Sequence, residues 1–151
     1  MQIIPGWHPI IVHFAIAMTV GGGAALATSR LCRVRRARQR FAIWGTFNLC
    51  AGAAFVVLAI ASGIMAIWDL NLPATARAAV STHVKWAFLT AVAVILVAVW
   101  RGAGAAPEEP PSNLFLAVMF GAVACAVVTA YFGAENVYRF GIGVLRAAVG
   151  G

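Results

Sequence analysis

Phe41 to Trp68 reads FAIWGTFNLCAGAAFVVLAIASGIMAIW, 28 residues without one charged side chain. About 20 helical residues cross a hydrocarbon core about 30 Å thick, so this stretch is long enough to span one. The residues before it are its opposite. Arg30-Leu31-Cys32-Arg33-Val34-Arg35-Arg36-Ala37-Arg38-Gln39-Arg40 carries six arginines. On the other side of that basic stretch the chain is apolar again, from Pro9 to Thr28. Arginines gathered between two apolar runs mark a turn at a membrane surface rather than the face of a soluble domain.

Two more apolar runs follow, His83 to Trp100 and Leu114 to about Phe132. The expected architecture is all-α: a four-helix transmembrane bundle, up-down-up-down, forming a single integral membrane domain over residues 1–151. The spans are expected at about 9–28, 41–68, 83–100 and 114–132, followed by a polar segment, 133–151. Composition agrees. Apolar residues make up 63% of the 151, against about 45–50% in soluble domains, and charged residues 10%, against about 25%. A soluble domain of this size has too much surface to hide so many apolar side chains. A soluble enzyme, a nucleic-acid-binding module and a disordered tail are excluded, and four spans leave no room for a separate catalytic domain. Cys32, Cys50 and Cys125 form no CxxC pair and read as packing residues.

The Arg30–Arg40 loop and the Arg101–Asn113 loop hold seven of the eleven basic residues. Short loops rich in arginine stay in the cytoplasm. The N-terminus, the second loop and the C-terminus are therefore expected on the periplasmic side.

Polar residues collect at that outer end. His8, His13, Asp69, His83, Lys85, Glu135, Tyr138 and Arg139 all map there, including all three histidines of the chain. His13 lies about one turn inside the first span, where an ionisable residue is costly and marks a functional candidate. His83 opens the third span, parallel to the first, so His13 and His83 form the expected pair. His8 precedes Pro9 and is expected outside the helix. It lies five residues from His13, about 140° around a helix, so the two are not a chelating i,i+4 pair. Asp69, Lys85, Glu135, Tyr138 and Arg139 are expected to form a linked polar network. Two stripes, Asn48-Gly52-Phe55-Ala59-Ser62-Asp69 and Gly121-Cys125-Val128-Phe132-Glu135, are expected to line the interior. Gly21-Gly22-Gly23 is expected to let the first helix pack closely.

His8-Pro9-Ile10-Ile11-Val12-His13-Phe14 resembles the His-Pro-x-x-Val-His-Phe opening of the bacterial membrane family known as domain of unknown function 2231. Gly133-Ala134-Glu135-Asn136-Val137-Tyr138-Arg139-Phe140 resembles its closing motif, so the likeness covers nearly the whole chain. The chain departs from the pattern at Ala15, where the family often has proline, and at Phe140, where it often has histidine. The resemblance implies four spans, a place in the bacterial inner membrane and an association with respiratory electron transfer, since relatives occur joined to Rieske-type iron–sulfur domains.

Three functions remain open on these grounds. A haem b-binding electron-transfer protein would use His13 and His83 as axial ligands, with Lys85 and Arg139 beside the propionates. A copper- or zinc-binding accessory protein would use His13, His83 and His8. A cofactor-free structural subunit of a respiratory or other membrane complex would use the polar cluster only to join helix ends. No residue reads as catalytic, and a stand-alone enzyme is not expected. The expected partners are the lipid bilayer and other membrane or periplasmic redox proteins, or further copies of the chain. Nucleic acid is not among them.

Overall fold

The computed structural model describes residues 6–68, 72–104 and 106–143. Four helices run through them: α1 (Trp7–Leu31), α2 (Arg35–Ile67), α3 (Ala74–Gly104) and α4 (Asn113–Phe140). Each is long and apolar enough to cross a membrane. The three-residue turn Cys32–Val34 forces α1 and α2 antiparallel, and α3 and α4 form the second hairpin. The architecture is the expected up-down-up-down bundle.

The helices outrun the apolar runs. α1 begins at Trp7 and α3 at Ala74, nine residues before His83, while α4 continues to Phe140. Apolar runs report where lipid contacts a helix. They do not report where the backbone stops, and alanine-rich Ala74-Thr75-Ala76-Arg77-Ala78-Ala79 favours helix outside lipid as well. α2, with 33 residues, is about 50 Å long.

Local chemistry sets the ends. Pro9 sits in the first turn of α1, where a missing N–H costs nothing. Ser112 caps α4, its Oγ accepting from the Phe115 N–H at 3.1 Å. Gly141, at φ 65°, closes α4: its N–H donates to the Val137 carbonyl at 2.9 Å and the Ile142 N–H to the Asn136 carbonyl at 3.1 Å.

The first hairpin is the tightest contact in the bundle, and glycine makes it so. A Cβ on Gly45 would lie 2.9 Å from the Leu26 nitrogen and 3.0 Å from the Gly22 oxygen. One on Gly22 would lie 2.9 Å from the Leu49 nitrogen, and one on Gly52 3.0 Å from the Thr19 nitrogen. Backbone touches backbone along this seam, as small residues permit in lipid. Every step forward on α1 is matched by an equal step back on α2: His8 lies opposite Gly63, Thr19 opposite Gly52, and Leu26 opposite Gly45. Of the three successive glycines, Gly22 meets α2, Gly23 meets Met119 of α4, and Gly21 faces open space.

The largest fully buried side chains include Leu26, Leu49, Val94, Val97 and Met119. They lie in the half nearer the arginines. Of the four neighbouring pairs of helices, α1 and α4 pack least, and two of their contacts, Gly23 with Met119 and Arg30 with Asn113, are in that same half. The buried line of α4 is Phe115, Met119, Ala122, Ala126 and Asn136, not the expected stripe through Gly121 and Cys125. The two lines differ by one residue, about 100° around the helix. Alanine, more than the polar residues, supplies the packing surface.

Arg101 also differs from its expected place in a loop. It lies in the last turn of α3 and is only 3% exposed. Its Nε donates to Thr46 Oγ1 at 2.9 Å, and its Nη2 to the carbonyls of Pro107 at 3.1 Å and Glu109 at 2.6 Å. A cation is favoured at a helix C-terminus. Here it also ties α2 to the α3–α4 loop.

Candidate functional site

His8 is the second residue of α1, and its ring turns toward α2. Its Nδ1 lies 3.1 Å from Ser62 Oγ, and its Cε1 fits where a Cβ on Gly63 would stand 2.9 Å away. Ser62 Oγ donates its own proton to the Ala59 carbonyl at 3.1 Å. The hydroxyl oxygen therefore accepts, and His8 donates from Nδ1.

His83 repeats the arrangement in the second hairpin. It is the tenth residue of α3 and faces α4. Its Nδ1 lies 3.1 Å from the Thr129 carbonyl oxygen, and its Cε1 fits where a Cβ on Gly133 would stand 3.1 Å away. A carbonyl only accepts, so His83 also donates from Nδ1. Thr129 Oγ1 donates to the Cys125 carbonyl at 2.9 Å, leaving it to accept from Thr90 Oγ1 at 2.8 Å. Trp86 stacks on Phe132 one turn away, with centroids 6.5 Å apart.

When neutral, both imidazoles carry the proton on Nδ1, which leaves the Nε2 lone pair free on each. Each hairpin thus seats one half-buried imidazole in a glycine notch, and both half-sites lie at the end of the bundle away from the arginines.

His13 lies elsewhere. It is exposed on α1, and its Nδ1 donates to the Pro9 carbonyl at 2.6 Å. The 140° step between His8 and His13 allows one of them to face inward, and the glycine seam selects His8. His8, Ala15, Thr19, Gly22 and Leu26 recur at helical spacing on that face, with His8, Thr19 and Leu26 opposite Gly63, Gly52 and Gly45, so the signal for the choice lies in α1 and α2 taken together.

The other polar residues are dispersed. Glu135 and Arg139 pair at 2.8 Å, one turn apart on α4, with side chains 26% and 70% exposed, and Arg139 lies over the Phe140 ring at 5.4 Å. Tyr138 is 89% exposed and Lys85 is exposed on α3. Asp69 lies outside the described residues. An open groove of about 370 Å³ separates the start of α3 from the end of α4, lined by Thr75, Thr82, Phe132, Glu135 and Arg139 among others. Asn136, within the closing motif, is buried with no hydrogen-bond partner for Oδ1. Among the described residues, His, Cys, Asp and Glu nowhere gather in threes.

No curated protein and no solved structure matches the chain. A family model does, over residues 5–146, a span that holds all four helices and both imidazoles of the pair. The chain belongs to the family described as Predicted membrane protein (DUF2231).

Proposed function

We propose that this protein is a haem b-binding electron-transfer protein of the bacterial inner membrane, in which His8 and His83 would hold the haem iron. One observation carries the reading: two imidazoles from separate hairpins, each with its Nδ1 proton committed and its Nε2 free. Ligand histidines are commonly held this way, the second nitrogen donating to an oxygen that fixes ring and tautomer. Two neutral imidazoles are a donor set that would suit haem iron. When bound, haem supplies a one-electron couple whose potential follows from ligands, hydrogen bonds and burial.

Ser62 and the Thr129 carbonyl hold the two rings, while Gly63 and Gly133 let them lie close to α2 and α4. Arg139 is the cation proposed for a propionate, whereas Lys85, two residues beyond His83, lies about 200° around α3 from it and faces away. In this reading the arginine end is cytoplasmic, and redox partners meet the protein at the histidine end. The test is a reduced-minus-oxidised spectrum of the detergent-purified protein, expressed with haem supplied. An α band that disappears in His8→Ala and in His83→Ala is the expected result; a protein without that band overturns the reading.

A copper site on the same two imidazoles is the second reading. It is favoured over zinc because structural and catalytic zinc take three or four protein ligands, and the pair gathers no third among the described residues. Elemental analysis of the same preparation separates copper from haem. A cofactor-free protein that co-purifies with respiratory subunits would instead mark a structural subunit.

A further inference from the structure

The arginines do more than their number requires. A positive flank that fixes topology can be lysine or arginine alike. Yet all six basic residues of Arg30–Arg40 are arginine, and the one lysine of the chain, Lys85, lies at the other end. Guanidinium differs from ammonium in presenting a planar fork that matches two oxygens of a phosphate. All six are exposed. The first turn of α2 contains no acidic residue, and Val34 gives it no side-chain cap, so its free N–H groups add positive potential there.

On α2 the arginines stand above an aromatic shelf. Arg36, Arg40 and Trp44 follow one another at four-residue steps, and Phe47 comes three residues later, so the four share one face. That face is opposite the buried line of Ala42, Gly45, Leu49 and Gly52. Trp44 and Phe47 are each 62% exposed and meet edge to face, with centroids 6.3 Å apart. One helical turn is about 5.4 Å, so the stripe descends from headgroup depth to the upper acyl chains. Indole is favoured at that boundary.

We propose that the Arg36–Arg40–Trp44–Phe47 face of α2 is a binding site for an anionic glycerophospholipid. Arg36 and Arg40 hold the phosphate, and the acyl chains lie along Trp44 and Phe47. Charge complementarity selects an anionic headgroup over a zwitterionic one. The aromatic shelf requires acyl chains, which distinguishes a lipid from a free phosphate.

The test uses the full-length protein in mixed micelles holding equal phosphatidylglycerol and phosphatidylcholine, with bound lipid counted by native mass spectrometry. Phosphatidylglycerol should be retained over phosphatidylcholine by about tenfold or more, the scale expected of two basic residues at an anionic surface. The R36Q/R40Q double variant should lose that preference, R33Q/R35Q should keep it, and Trp44→Ala should lower retention of phosphatidylglycerol. Equal retention of the two lipids by the unaltered protein overturns the proposal. So does an equal loss in R33Q/R35Q, which would mean diffuse surface charge rather than a site.

Discussion

His83 donates from Nδ1 to the Thr129 carbonyl oxygen, 46 residues further along the chain, at 3.1 Å. The acceptor is backbone and has no proton to offer, so the bond fixes which nitrogen of His83 is protonated in the neutral ring. In ¹⁵N spectra of the cofactor-free protein at alkaline pH, His83 is expected as the Nδ1–H tautomer. His8 should match it, and Ser62→Ala should shift His8 toward the commoner Nε2–H form while leaving His83 unchanged. A His8 already in the Nε2–H form in the unaltered protein would contradict the assignment.

Ligand loss should follow the placement of the rings. With haem or copper bound, His8→Ala and His83→Ala should each abolish occupancy, measured by absorbance or by metal content. His13→Ala should leave most of it, because His13 is exposed and bonded to its own helix. The reverse order, His13→Ala empty and His8→Ala full, would overturn the pairing.

Glycine at the α1–α2 seam is irreplaceable in a way that glycine elsewhere is not. Gly45→Ala sets a methyl against backbone atoms of α1 and should cost about 2 kcal/mol or more in thermal unfolding. Gly102, also helical, has nothing within 4 Å of the added carbon. Gly102→Ala should be neutral or stabilise by up to about 1 kcal/mol.

Arg101 is a desolvated cation whose hydrogen bonds hold the α3–α4 loop. Arg101→Ala should destabilise by about 3 kcal/mol and open residues 106–112 to protease, since Thr46 and the loop carbonyls lose their donor. Arg101→Lys should rescue little, because one ammonium cannot reach both sides of the fork. Glu135→Ala, which breaks an exposed pair one turn apart on α4, should cost no more than about 0.5 kcal/mol.

Sidedness has its own test. Arg33→Cys should resist an impermeant maleimide in intact cells and react after permeabilisation if the arginine turn is cytoplasmic. Labelling in intact cells would reverse the orientation.

The fold was readable because lipid imposes a coarse rule: 28 uncharged residues beside six arginines leave few alternatives to a spanning helix and its flank. The rotation of α1 obeys a finer rule. His8 and His13 are equally polar and lie at the same end; what separates them is which face of α1 meets Gly45 and Gly52. That pairing joins residues 19 to 33 positions apart, and nothing in the local sequence of α1 states it. Arg101 was counted among the surface charges for a similar reason. It follows an apolar span like any flanking cation, and only the path of the loop, which brings the Pro107 and Glu109 carbonyls back over it, makes it internal.

The two glycine notches have a mechanical consequence. Each hairpin contributes a single imidazole, so neither half of the chain presents the pair alone, and the pair is complete only once the hairpins have docked. Both notches lie at the end away from Leu26, Leu49 and Met119. Anything gripped by both rings would act there as a keystone: its binding free energy would be added directly to the cohesion of the two hairpins. Melting temperature should then rise with occupancy, and an empty protein should part first at the histidine end.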